Sequence, residues 1–222
     1  MKISGAIFDM DGTLIDSLMF WDMFWARLGD MYFSDSSFRP DAVTEKAIRT
    51  LPLKDGMILL HKNCNIGKSG EELLDIANKL CTDFYRDDVE LKDGVIEFLD
   101  YCHTRGIRMC IASATAPDLL KIAMDKFDLD KYFLKIFSCS EIGKGKEHPD
   151  VFIKAHEFLD TPKESTWIFE DSIVALETAT KAGYKTVGIY DQYNFNLDRV
   201  AAISTEYIDR NQSLKRLIPE IE

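Results

Sequence analysis

Ile3-Ser4-Gly5-Ala6-Ile7-Phe8-Asp9-Met10-Asp11-Gly12-Thr13 is the stretch whose reading decides the fold. Residues 3–8 form an apolar run broken by one serine and one glycine, and the run stops abruptly at two aspartates. A short apolar run ending in carboxylates reads as a buried parallel strand that delivers its last residues to a site. In open α/β sheets, ligands sit at the carboxyl ends of the strands.

Outward from that stretch the chain changes character. Residues 17–88 contain no convincing strand. Phe20, Met23, Phe24 and Leu28 fall at helical spacing, Ala42 to Ile48 is short and amphipathic, and Met57 to His61 makes one apolar turn. Leu73, Leu74, Ile76, Ala77, Leu80, Cys81 and Phe84 share a helical period. Ser69 with Glu72 predicts a capping box at the start of that helix. Gly67-Lys68-Ser69 lacks the glycine that a phosphate-binding P-loop needs where Lys62 stands, so a helix start is the better reading. This stretch reads as a helical bundle inserted after the first strand.

From about residue 90, strands alternate with helices. Ile107–Ala112 ends at Ser113-Ala114-Thr115, Leu134–Phe137 is short, Thr166–Phe169 ends at Glu170-Asp171, and Lys185–Ile189 follows Gly183. This pattern predicts an α/β fold with a Rossmann-like parallel sheet covered on both faces. The last dozen residues read as a surface helix or a loose tail.

The 222 residues carry a net charge of −11 with 46% hydrophobic content, in keeping with a packed core. An acidic chain repels nucleic-acid backbones and anionic membranes, so neither is an expected partner. No apolar stretch reaches the length of a membrane span. Cys64, Cys81, Cys102, Cys110 and Cys139 are odd in number and form no CxxC pair. Without a signal-peptide pattern at the start, they predict free thiols in a cytoplasmic protein. His61, His103, His148 and His156 show no metal-ligand spacing.

In a parallel sheet all strand ends emerge at one edge. Asp9 and Asp11, Ser113, and Glu170 with Asp171 therefore converge although they span most of the chain, and Lys146 precedes the helix that starts near Pro149. The combination suggests phosphoryl transfer. A carboxylate can attack phosphorus, and a second carboxylate two residues on can serve the leaving alcohol. Asp9 and Asp171 make a hard-oxygen Mg²⁺ site, Ser113 donates to a phosphate oxygen, and Lys146 neutralises another.

Four segments resemble the haloacid dehalogenase superfamily in order and spacing: FDMDGTLIDS at 8–17, IASAT at 111–115, GKEHPDVF at 145–152 and FEDS at 169–172. The resemblance, to the phosphatase and β-phosphoglucomutase branch, implies a core of residues 1–16 and 89–222 with a helical cap at 17–88. It implies Asp9 as nucleophile and Asp11 as general acid and then base, with the Asp11 backbone carbonyl on the metal. Ser113, Ala114 and Lys146 would hold the phosphate. Asp171 would ligate Mg²⁺, and Glu170 would do so directly or through water. Trp21 and Lys54 are candidate substrate contacts on the cap; core packing and solvated surface charge are their plain alternatives.

Asp11 argues against dehalogenation and phosphonate cleavage, which in this family go with loss of the second aspartate. Thr13 is typical of the phosphatases, whereas the mutases carry valine there. The implied activity is thus hydrolysis of a small phosphorylated metabolite by a monomer, with a sugar-phosphate mutase as alternative. One departure is Glu147, which replaces the proline usual after the lysine. Lys144 is a second lysine candidate, but Lys146 keeps the usual distance to Pro149-Asp150.

Overall fold

Strand β1 (Gly5–Phe8) is buried along its whole length, as an apolar strand covered on both faces must be. The computed structural model describes residues 1–221; the sequence expectation for the core runs to 222, and that last residue lies outside the described ones. Five strands follow in the chain: β2 (Arg108–Ser113), β3 (Ile136–Ser138), β4 (Thr166–Glu170), β5 (Lys185–Ile189) and β6 (Glu206–Ile208). All pair in parallel, in the order β3-β2-β1-β4-β5-β6. The order reverses at β1, so a crevice opens where the connections of β1 and β4 run in opposite directions. Phe8 lies level with Ile111 and Phe169, and Asp9 N–H continues the ladder to the Phe169 carbonyl at 2.9 Å. The catalytic candidates are thereby set side by side at one sheet edge.

The chain folds into two compact units, Met1–Leu18 with Val89–Glu222, and Met19–Asp88. The second holds four helices: α1 (Phe20–Phe33), α2 (Ala42–Thr50), α3 (Leu53–Cys64) and α4 (Gly70–Asp87). Its core joins Phe20, Phe24, Trp25 and Leu28 of α1 to Leu73, Ala77, Phe84 and Tyr85 of α4. The Phe20 ring stacks on Phe24 at 5.6 Å and tilts against Phe84 at 5.7 Å. Trp25 rather than Met23 completes the apolar face, because Glu45 accepts its indole N–H at 3.2 Å and so permits full burial. Asp41 caps α2 by accepting from the Val43 and Thr44 backbone N–H groups. At α4 the Ser69 hydroxyl accepts from Glu72 N–H, while the Glu72 carboxylate returns to Lys68 N–H instead of Ser69, one residue beyond the expected box.

The first unit covers its sheet with α5 (Val95–Thr104), α6 (Pro117–Lys126), α7 (Cys139–Ile142), α8 (Asp150–Leu159), α9 (Ile173–Lys181) and α10 (Leu197–Ile203). Ile7 and its register partners Cys110 and Ile168 pack with Val151, Phe152, Ala155 and Leu159 of α8 and with Ala175 and Ala179 of α9. On the other face Phe8 meets the rings of Phe98, Phe133 and Phe169 at 6.3, 5.7 and 4.3 Å. The alternation along one strand thus feeds two apolar layers.

Two neighbouring segments carry the chain out of this unit and back. Asp16 N–H donates to the Glu90 carbonyl at 2.8 Å, and Lys92 N–H to the Leu14 carbonyl at 2.9 Å. The end of the chain is neither a loose tail nor a surface α-helix. Leu214–Glu220 forms a 3₁₀-helix packed on α5, with Leu214, Leu217 and Ile221 buried.

Candidate active site

The first residues past β1 make a tight turn. Leu14 and Ile15 N–H groups both donate to the Met10 carbonyl, at 2.8 and 3.1 Å. Gly12 takes φ +73°, and a β-carbon there would fall on the Asp171 carboxylate, with Cγ at 2.8 Å. Glycine is required for both reasons, the left-handed backbone and the close approach. The turn sends Asp9 and Asp11 to different surroundings.

Asp9 stays at the strand end with Glu170 and Asp171 from the end of β4. One oxygen from each of the three lies within 4.8 Å of the others, and all three residues are buried. Lys146, in the loop before α8, reaches this group: its Nζ is 2.6 Å from Asp9 Oδ1 and also pairs with Glu170 Oε1. Lys144 lies outside it, exposed and paired with Asp150 at 2.7 Å. Glu170 is oriented further by Ser172 N–H, which donates to Oε2 at 2.8 Å. Asp171 accepts from Thr13 Oγ1 on Oδ1 at 3.3 Å and from Asn194 Nδ2 on Oδ2 at 2.6 Å.

The Asp11 carboxylate lies outside the cluster. Ser17 Oγ donates to its Oδ1 at 2.6 Å and Thr115 Oγ1 to its Oδ2 at 2.7 Å. Ser113, at the end of β2, is buried and its hydroxyl accepts from Thr115 N–H at 3.1 Å; Ala114 beside it is exposed. In the helical unit Trp21 is half-buried against Phe24 and Trp25, and Lys54 is exposed.

Four polar side chains escape the sequence reading. Ser17 and Thr115 stand inside the quoted motif segments, and their service to Asp11 becomes visible only once two strand ends are side by side. Asn194 and Asp191 lie in the turn after β5, where no spacing or composition singles them out.

The electrostatics of the cluster are those of charge held away from water. Burial pushes the Asp9 carboxyl up from 3.8 to about 7; Lys146 opposes this, and the charges of Glu170 and Asp11 add to it. Burial also raises Asp171 well above the carboxylate range, helped by Glu170, Asp9 and Asp191. For Lys146 burial alone would lower the ammonium, but the charges of Asp9 and Glu170 together outweigh it and hold it above its ordinary value. With all four ionised, three carboxylates face one ammonium. The remaining two negative charges and an all-oxygen donor set fit a hard divalent cation such as Mg²⁺. The acids alone would resist ionising together, which is the condition such a cation relieves.

The family model described as haloacid dehalogenase-like hydrolase matches residues 6–189. Protein CbbY of Rhodobacter capsulatus is 28% identical over all of both chains. A phosphorylated carbohydrates phosphatase of Thermotoga maritima is 24% identical over 83% of this chain and 84% of its own. In fold, the chain is similar to CbbY from Rhodobacter sphaeroides in complex with phosphate, with a TM-score of 0.76 at 18% identity over 97% of this chain and 96% of the other.

Proposed function

Because the chain belongs to the haloacid dehalogenase-like hydrolases, we propose that it is a Mg²⁺-dependent phosphatase that hydrolyses a small sugar phosphate through a phosphoryl group carried on Asp9. The observation that carries this reading is the buried group of Asp9, Glu170, Asp171 and Lys146 at the ends of β1 and β4. Similarity to a phosphatase of phosphorylated carbohydrates supports the substrate class.

In this reading Asp9, Glu170, Asp171 and the Asp11 backbone carbonyl hold the cation. When bound, it screens the anionic nucleophile from the anionic phosphate and offsets charge on the transferring oxygens. Lys146 spans Asp9 and Glu170, so it neutralises a phosphate oxygen beside the nucleophile while favouring the ionised form of Asp9 against its burial. Ser113, with Ala114 next to it, donates to a further phosphate oxygen. Asp9 attacks phosphorus and forms an aspartyl-phosphate as the ester oxygen departs. Asp11 protonates that oxygen, and its carboxylate then takes a proton from the water that cleaves the acyl-phosphate. Ser17 and Thr115 fix both oxygens of Asp11 for this exchange.

We assign the helical unit, Met19–Asp88, the role of a cap that selects the leaving group, with Trp21 and Lys54 as its substrate contacts. Five free cysteines fit the reducing cytoplasm, the acidic composition fits a small metabolite rather than a nucleic acid or a membrane, and a monomer leaves the cap free to swing. Among the described residues no helix is long and apolar enough to cross a membrane. Thr13, where the mutases carry valine, favours hydrolysis over isomerisation.

The test is phosphate release from a panel of sugar phosphates, nucleotides and an aryl phosphate, with Mg²⁺ and with chelator. Chelator-sensitive release that Asp9→Asn abolishes is the expected result. Isomerised product formed faster than free phosphate, in the presence of a sugar bisphosphate, would replace the phosphatase with a mutase.

A further inference from the structure

Lys92 stands in the segment by which the chain returns to the first unit, and its ammonium holds two carboxylates. Asp191 Oδ2 lies at 2.8 Å and Asp16 Oδ1 at 2.9 Å. Asp191 is almost wholly buried and Asp16 is largely exposed, so the inner pair is the constrained one. Asp191 in turn organises the loop after β5. Its Oδ1 accepts from Tyr193 N–H at 2.9 Å, and its carbonyl accepts from Asn194 N–H at 3.0 Å.

The product of that loop is the placement of Asn194. Its Nδ2 donates to Asp171 Oδ2 at 2.6 Å and to the Asp171 carbonyl at 2.9 Å. Its Oδ1 accepts from Phe195 N–H at 2.7 Å, which fixes the amide the right way round, with the donors toward Asp171. Asp171 sits among buried charges of its own sign, from Glu170 and Asp9. A carboxylate in that position swings away unless directional bonds hold it, and Asn194 and Thr13 each hold one of its oxygens.

We propose that Asn194 is the positioning residue that aims the Asp171 carboxylate at a divalent cation, and that the Lys92–Asp191 ion pair holds Asn194 in place. This rests on reading the carboxylate cluster as a metal site. The segment returning from the helical insert thereby contributes to how tightly the cluster grips its ion. Groups that orient a metal ligand through one hydrogen bond carry a large share of affinity.

The decisive experiment is calorimetric titration of the full chain with Mg²⁺ alone, alongside the Mg²⁺ dependence and substrate KM of phosphate release. Asn194→Ala is expected to raise the Mg²⁺ dissociation constant by about ten- to a hundredfold. The Mg²⁺ needed for half-maximal turnover should rise by the same factor, while substrate KM at saturating Mg²⁺ holds. Lys92→Met shifts the constant in the same direction and Lys92→Arg restores it. If Lys92→Met does not fold, Lys92→Gln, shorter and uncharged but still polar, is read the same way. Joined to Asn194→Ala, the lysine variant adds little, because both act on one contact. A folded Asn194→Ala with unchanged Mg²⁺ affinity overturns the proposal, and unchanged affinity in the folded lysine variants overturns the part assigned to Lys92. The titration reads the ion without turnover. A wild-type chain that binds Mg²⁺ but releases no phosphate therefore counts against the phosphatase and not against the role of Asn194.

Discussion

At the centre of Met19–Asp88 lie Phe20, Phe24, Trp25 and Phe84, and at the strand ends of the other unit lie Asp9, Glu170 and Asp171, buried as deeply. Among the described residues Thr44 is the one buried polar residue of the helical unit, whereas the first unit buries Asp9, Thr13, Ser17, Ser113, Glu170, Asp171 and Asp191 among others. Apolar burial stabilises outright, by roughly 1.5–3 kcal/mol for each large side chain. Burying like charges opposes folding unless something compensates it. The difference teaches where each unit's sequence is under physical constraint. The helical core answers to packing, and the strand ends answer to chemistry at the expense of stability.

That contrast can be broken at its strongest point first. Asp9→Asn is expected to lower phosphate release by at least about a thousandfold, since nothing replaces the nucleophile. Its circular dichroism should match the wild type. A folded variant that retains turnover would remove Asp9 from the chemistry. Trp25→Ala is the reverse case. It should destabilise the protein by about 3–5 kcal/mol through the cavity it leaves, measured by denaturant unfolding. Below the transition, Mg²⁺ affinity by calorimetry should be unchanged. A loss of Mg²⁺ affinity would show that the two kinds of burial are not separable.

A third expectation concerns pH in chelator-treated protein. Folding raises Asp9 from 3.8 to about 7, so between those values the folded chain keeps a proton that the unfolded chain has released. The folded state then binds more protons, and stability falls as pH rises through this window, by up to about 1.4 kcal/mol per pH unit for one such group. The Asp171 shift acts in the same direction. Urea midpoints measured across this range should decline, Asp9→Asn should flatten the decline, and Mg²⁺ should restore stability at the upper end. A midpoint that rises with pH would contradict the description of the cluster as strained charge. The smallest effect is expected at Asp41→Ala, which removes the cap of α2 for about 1 kcal/mol and leaves turnover unaffected in the same assays.

The same contrast explains what the sequence could disclose. The strand Gly5–Phe8, the alternation after residue 90 and the side-by-side ends of β1 and β4 follow from hydrophobic runs and from the parallel rule. Asp9, Glu170 and Asp171 were legible because the chemistry demands carboxylates at strand ends, and Lys146 because of its distance to Pro149-Asp150 in the quoted segment. Asn194 was not, since an amide in a loop acquires meaning only from the carboxylate it faces. Trp25 read as core of the insert, as part of the aromatic stripe Phe20, Trp21, Phe24 and Trp25; what no periodicity records is Glu45 accepting its indole N–H, a contact between two helices. Strand β6 was missed because Glu206-Tyr207-Ile208 offers no apolar run like that around β3, and α10 because seven residues give too little of a period. The end of the chain read as a surface helix or a loose tail because what anchors Leu214, Leu217 and Ile221 is packing on α5, a tertiary contact that no local pattern records.

The placement of the first strand at the middle of the sheet has a consequence for the chain as it is made. Thr13 and its partner Asp171 are 158 residues apart, an interval that takes roughly 8–30 s to synthesise at about 5–20 residues per second. For the first part of it, until Arg108–Ser113 emerges, Gly5–Phe8 has neither of its sheet neighbours. Such a strand invites pairing with its counterpart on another nascent chain. Asp9, Asp11 and Asp16 follow directly behind it, and their mutual repulsion across two chains guards it during that wait. Asp9, whose burial strains the finished fold, thus helps to protect the unfinished one.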